Sequence, residues 1–217
     1  MQPTLVVFDL DGTLIDSAPD MHRAVNLMLA ERGHDPLTLP DIRSMVGDGA
    51  SALIARALAA RQCVTADPSV ALAEFLRHYE AQPTAFTDTF AGVPDTLERL
   101  QAAGLTLAVC TNKPTRLTQM ILERLGIARF FDRVVAGDSL PFRKPDPRAL
   151  LEVINGFGTP AQATIMVGDS EVDAATAHGA SVPFVLMTYG YHRGPIDDIS
   201  SIATLDHFGE LATLLHA

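Results

Sequence analysis

The sequence predicts an α/β fold: a Rossmann-like parallel sheet with helices on both faces, and a small all-α cap domain inserted after the first strand. Three observations predict it. Short apolar runs alternate with amphipathic stretches of helical length, the pattern of right-handed crossovers in a doubly covered parallel sheet. Polar residues with chemical potential follow several of those runs directly, where open parallel sheets place their ligand crevice. Between Asp16 and about Pro83 the periodicity is helical throughout, with no convincing strand.

Each element has its own signal. Leu5-Val6-Val7-Phe8 is an apolar run that leads to a turn glycine, Gly12, and reads as a buried parallel strand. In the insertion, residues 20–32 are amphipathic and stop at Gly33, residues 50–61 are rich in alanine and leucine, and residues 69–81 form a third helix. After Pro83-Thr84, strands are expected over residues 105–110, 133–136, 164–167 and 183–187. Helices are expected over residues 93–103, 114–125, 147–154 and 172–179, with a last one from about 205 to 215. The expected division is a core domain of residues 1–15 and 84–217 and a helical cap domain of residues 16–83, lying as a lid over the crevice.

Composition narrows the function. A chain of 217 residues holds one full core with room for a smaller insertion. Its 47% hydrophobic and 19% charged residues are those of an ordered globular protein. No apolar stretch is long enough to span a bilayer, and there is no secretory signal pattern, so a cytoplasmic location is expected. The net charge of −10 disfavours nucleic acid and anionic membranes as partners, while a locally positive pocket still suits a small phosphate ester. Cys63 and Cys110 make neither a disulfide framework nor a zinc site, and Cys110, ending a strand, is expected to pack. The two lysines, Lys113 and Lys144, stand among 16 basic residues, and both lie beside candidate strand ends.

The chemistry begins with Asp9 and Asp11. Two carboxylates that close repel by several kcal/mol unless a cation, a proton or strong donors compensate, although Asp and Gly also make ordinary turns. Thr111-Asn112-Lys113-Pro114 follows the second core strand; it offers either a helix N-cap or a hydroxyl, an amide and free helix N–H groups for a phosphoryl oxygen. Lys144, in a loop stiffened by Pro145 and Pro147, would offset carboxylate repulsion and attract a dianion, with Arg143 ranked second. Asp169 ends another strand and Asp173 lies one helical turn on, as cap and first-turn acid or as metal ligands. With Asp9 and Asp11 they make a set of hard oxygen ligands, which selects Mg²⁺ rather than zinc.

The segments Asp9-Leu10-Asp11-Gly12-Thr13, Thr111-Asn112, Lys144-Pro145 and Gly168-Asp169 through Asp173 resemble the four ordered motifs of the haloacid dehalogenase-like hydrolases. Asp16-Ser17-Ala18-Pro19-Asp20, Val46-Gly47-Asp48-Gly49-Ala50, Thr111-Asn112-Lys113-Pro114 and Thr188-Tyr189-Gly190-Tyr191 resemble its phosphoglycolate phosphatase branch. The resemblance implies that Asp9 attacks phosphorus to form an aspartyl-phosphate, and that Asp11 serves as general acid and then base. It implies Mg²⁺ held by Asp9, the main-chain carbonyl of Asp11 and Asp169, with Asp173 supporting. It assigns the phosphoryl oxygens to Thr111, Asn112 and Lys144. Many relatives have Asn before the last aspartate, where this chain has Val172, which loosens the role of Asp173.

Asp11 points to phosphoryl transfer, since dehalogenase members lack an acid there. An insertion without lysine argues against Schiff-base chemistry. The expected activity is a Mg²⁺-dependent phosphomonoester hydrolase acting on a small phosphorylated metabolite, 2-phosphoglycolate first. The alternatives are a phosphatase of a sugar phosphate or N-acetylmuramate 6-phosphate, a β-phosphoglucomutase-like phosphotransferase, in which His22 would have a role, and a non-catalytic phosphometabolite-binding module. In the cap, Gly47 and Gly49 flank Asp48 in a loop able to approach substrate, and Arg43 is a candidate partner for a substrate carboxylate. Oligomeric state, monomer or homodimer, is left open.

Overall fold

Leu5–Phe8 (β1) is buried at all four positions in the computed structural model, which describes residues 3–63 and 67–217. Beyond it the chain forms a two-residue strand, β2 (Ile15–Asp16), and leaves through four helices: α1 (Ala18–Glu31), α2 (Leu39–Met45), α3 (Ala50–Ala60) and α4 (Pro68–Ala81). It returns at β3 (Asp88–Thr89), antiparallel to β2, with Ile15 opposite Thr89. The alternation then runs α5 (Val93–Ala102), β4 (Thr106–Cys110), α6 (Thr115–Arg124), β5 (Arg133–Val135), α7 (Arg148–Phe157), β6 (Thr164–Gly168), α8 (Glu171–Gly179) and β7 (Phe184–Met187). It ends in β8 (Ala203–Leu205) and α9 (Glu210–Leu214).

Six strands form one parallel sheet in the order β5-β4-β1-β6-β7-β8. A strand apolar at every position belongs at the centre of such a sheet, covered on both faces, and β1 lies there with Phe8 opposite both Val109 and Val167. Alternate side chains go to opposite faces. Val6 and Phe8 join the cluster that includes Leu97, Leu100, Leu117, Ile121 and Leu211 of α5, α6 and α9. Leu5 and Val7 meet Leu150, Val153 and Ile154 of α7 and Ala174 and Ala177 of α8 on the other face. Phe8 anchors the first cluster against Phe131 and Phe208, with ring centroids 6.2 and 5.8 Å away.

The helices α1–α4 are tied to the sheet where the chain leaves and returns. Asp20, fully buried on α1, accepts hydrogen bonds from Phe86 N at 2.9 Å and from Thr87 N and Oγ1 at 2.8 Å each. One buried carboxylate thereby satisfies two main-chain donors of the returning segment.

The expected strands and helices of the core are present with ends shifted by one to three residues, except at the C-terminal end. There, residues from 205 were read as helical; Leu205 instead closes β8, and α9 starts at Glu210. Ala203–Leu205 shows no fully buried position, and its strand character comes from pairing with β7. The seven-residue α2, opened by a capping box between Thr38 and Asp41, was not anticipated; Ile42 is its one buried residue, too few to show a period. Among the described residues no helix is long and apolar enough to cross a membrane.

Candidate active site

Parallel pairing brings the ends of β1, β4 and β6 level, so the residues just beyond them meet at one edge of the sheet. Asp9 follows β1 with its N–H held by Val167 O at 2.9 Å, Thr111 follows β4, and Asp169 follows β6. Lys144 reaches the same point from the loop before α7; its Nζ lies 2.8 Å from Asp9 Oδ1 and 2.6 Å from Asp173 Oδ1. One oxygen from each of Asp9, Asp169 and Asp173 falls within 4.8 Å of the others, and all three residues are buried.

Two glycines let Asp169 into this crowded space. Gly12 has φ +89°, and a Cβ there would sit 2.3 Å from Asp169 Oδ2; a Cβ at Gly190 would sit 2.2 Å from Asp169 Cβ. Asp169 is then oriented by Thr13 Oγ1, which donates to Oδ1, and by Tyr191 N, which donates to Oδ2, each at 2.6 Å. Asp173 is the N3 acid of the α8 capping box: its Oδ2 accepts from Ser170 Oγ at 2.6 Å and from the N–H groups of Ser170 and Asp169 at 3.2 and 3.3 Å. Its Oδ1 holds Lys144. The bland reading of Asp173 as a first-turn acid is therefore realised, and the same carboxylate positions the lysine.

The electrostatics call for a cation. Burial raises Asp9 to about 6 against the lowering pull of Lys144, and Asp173 adds to the rise. Burial, with Asp173 and then Asp9, pushes Asp169 well above the usual carboxylate range. Asp9 Oδ1 is buried and is matched by no partner but the Lys144 ammonium, 2.8 Å away, which Asp173 shares. Three buried carboxylates around one ammonium, one of them destabilised in its charged form, suit a divalent ion with oxygen ligands.

Asp11 points to the other side, into a cavity also lined by Asp9, Gly47, Gly49, Thr111, Asn112 and Lys113 and walled by Met21, Leu53, Phe75 and Tyr79. Its Oδ1 accepts from Ser17 Oγ and, at 2.8 Å, from Lys113 Nζ. Lys113 also donates to Tyr79 Oη at 2.8 Å. Burial opposes the charge on Lys113, but Asp11 and Tyr79 together outweigh it and hold the ammonium above the ordinary lysine range.

Most of the expected residues gather here, with different partners from those foreseen. Neither Thr111 nor Asn112 caps α6; Asp138 Oδ1 takes the Thr115 N–H instead, at 2.8 Å. Thr111 Oγ1 accepts from Lys113 N, and both Asn112 Nδ2 hydrogens are committed, to Gly47 O and Lys144 O at 2.9 Å. Asn112 thus ties the Gly47 loop to the sheet. Asp48 faces Arg56 and Arg193 rather than the cavity, and Arg43 pairs at 2.9 Å with Asp16, half-exposed. His22 contacts Leu37 O and Asn26 and lies outside the cavity lining. Cys110 is buried, and burial pushes its thiol up to about 12, as its packing role requires. Sequence reasoning missed Tyr79 and Arg193 as site-forming groups, and it quoted Thr13, Ser17 and Lys113 within motifs without giving them a role.

The family model for haloacid dehalogenase-like hydrolases matches residues 6–187. A phosphoglycolate phosphatase of Cereibacter sphaeroides is 44% identical over 212 residues, covering 97% of this chain and 96% of the relative. One from Rhodospirillum rubrum is 42% identical over 219 residues, covering 98% and 91%. The crystal structure of a predicted phosphoglycolate phosphatase from Haemophilus somnus superposes with a TM-score of 0.94 at 32% identity, covering 99% of this chain and 98% of that one. CbbY from Rhodobacter sphaeroides, crystallised in complex with phosphate, shares the fold with a TM-score of 0.83 at 23% identity, over 97% and 96% of the two chains.

Proposed function

The chain belongs to the haloacid dehalogenase-like hydrolase family and is a phosphatase, and from that premise we propose that it hydrolyses 2-phosphoglycolate to glycolate and phosphate. Asp9 attacks phosphorus in line, forming an aspartyl-phosphate as the ester P–O bond breaks. Asp11 gives its proton to the departing alkoxide, then takes one from the water that cleaves the acyl-phosphate. Thr111 and Lys144 hold the phosphoryl oxygens, with Asn112 fixing the loop that closes over them. Asp9, the main-chain carbonyl of Asp11 and Asp169 would hold Mg²⁺, which neutralises phosphoryl charge when bound. Asp173 acts through Lys144.

Residues 16–83 form, in this reading, a cap domain over a core of residues 1–15 and 84–217, and the protein works on a cytoplasmic metabolite. The observation that carries the mechanism is the division of labour between two aspartates. Asp9 lies in the acidic cluster with only the shared Lys144 ammonium, 2.8 Å away, against its Oδ1, whereas Asp11 is held toward the cavity by Ser17 and Lys113. Phosphate release from a panel of monoesters with Mg²⁺ tests it. We expect 2-phosphoglycolate to lead in kcat/KM and Asp9→Asn to abolish release. A sugar phosphate in first place would keep the mechanism and replace the substrate; release by Asp9→Asn would remove the mechanism.

A further inference from the structure

Inside the cavity, two buried donors are not used up by the protein. Lysine carries three hydrogens and no acceptor. Lys113 Nζ spends one on Asp11 Oδ1 and one on Tyr79 Oη, both at 2.8 Å, and the third has no partner among the described residues. Since the lysine only donates, Tyr79 Oη is the acceptor in their contact. The tyrosine's own hydrogen therefore remains, and it has no acceptor among the described residues. Burial pushes the Tyr79 hydroxyl up to about 12, so it keeps that hydrogen at neutral pH. Lys113 and Tyr79 are 4% and 1% exposed, and among the described residues Lys113 is the one cation lining the cavity.

The surroundings say what these donors would receive. Met21, Leu53 and Phe75 offer no polar partner, so a sugar with several hydroxyls would leave some of them unsatisfied. A compact anion facing one ammonium and one hydroxyl would be fully matched. Its place along the substrate is also set: Lys113 touches Asp11, which must reach the ester oxygen, so the anion lies within a bond or two of that oxygen. A carboxylate borne by the ester carbon itself, its carbon two bonds from the ester oxygen, has that spacing.

We infer that Lys113 and Tyr79 together receive the carboxylate of the leaving group, and that this pair, not Arg43, sets a preference for phosphate esters of 2-hydroxy acids. The inference rests on the phosphoglycolate reading and deepens it. Arg43 is unsuited because it is half-exposed, pairs with Asp16 and does not line the cavity.

The test is the ratio of kcat/KM for 2-phosphoglycolate to that for 2-hydroxyethyl phosphate, a monoester of equal length whose leaving group carries no charge. The wild type should favour the carboxylated ester. Lys113→Met should reduce that ratio by on the order of 100-fold, the usual consequence of truncating one side of a buried charge pair. Tyr79→Phe keeps the ring that lies 4.7 Å from Nζ and should reduce the ratio by about 10-fold. Both variants losing activity equally on the two esters would confine Lys113 to holding Asp11 and overturn the inference alone. A wild-type ratio near one would overturn the phosphoglycolate reading and the inference with it.

Discussion

Lys144 is a single charge on which several buried groups depend. It is 3% exposed, pairs with Asp9 and Asp173, and sits where Asp169 adds a third carboxylate. Burial would lower its pKa, but Asp173 and Asp9 reverse that and keep it charged. Removing one partner of a buried ion pair leaves the other charge uncompensated, at a cost of about 3–5 kcal/mol. Lys144→Met should therefore lower the urea midpoint of the metal-free protein by the equivalent of that energy, as well as ending catalysis. A loss of activity with an unchanged midpoint would mean that protons, not Lys144, neutralise the cluster. Asp173→Asn tests the same link from the other side: the amide keeps the size but would turn a donor or a neutral oxygen toward Nζ, so activity should fall although Asp173 itself touches no substrate.

At the scale of elements, the join between the helical insertion and the sheet depends on Asp20. Asp20→Ala would leave two main-chain N–H groups and one hydroxyl of residues 86 and 87 without their acceptor. At about 1–3 kcal/mol for an unsatisfied buried group, and with water reaching the exposed side of Phe86, we expect a loss of about 2–4 kcal/mol in chemical denaturation. No change would show that the join is held elsewhere. The sequence made the four inner strands legible because each is buried almost throughout and so reads as a largely apolar run, as in Leu5–Phe8 and Phe184–Met187. It concealed β8, which is partly exposed and is a strand only through β7, and α2, which is too short for a period. The motif carboxylates were legible because they lie a few residues apart at strand ends. The Lys113–Tyr79 contact was not, because its members are 34 residues apart and Tyr79 falls on the apolar face of α4, where it reads as core. Asp48 and Arg43 were misjudged for a related reason: charge and proximity in sequence suggested reach, while Arg193 and Asp16 hold them elsewhere.

Across the whole molecule, binding and stability are linked through the acidic cluster. The Asp9 carboxyl titrates near 3.9 in an unfolded chain and is raised to about 6 in the folded, metal-free protein. Between about pH 4 and 6 the folded state therefore holds more protons than the unfolded one, and this group's contribution to stability falls as pH rises through that window. A divalent cation acts in the opposite sense, since it favours the ionised carboxylates and competes with their protons. The stabilisation conferred by Mg²⁺ should accordingly be larger at pH 7.5 than at pH 5. At 100 times its dissociation constant a ligand specific to the folded state adds about 2.7 kcal/mol. For a chain of this size each kcal/mol moves Tm by about 2–4 °C, so calorimetry at pH 7.5 should show a rise of roughly 5–10 °C. Asp169→Asn should remove most of that rise while leaving the metal-free Tm equal or higher, because the amide relieves the repulsion among three buried acids. A shift of equal size at both pH values, or one that survives Asp169→Asn, would place the cation outside this cluster.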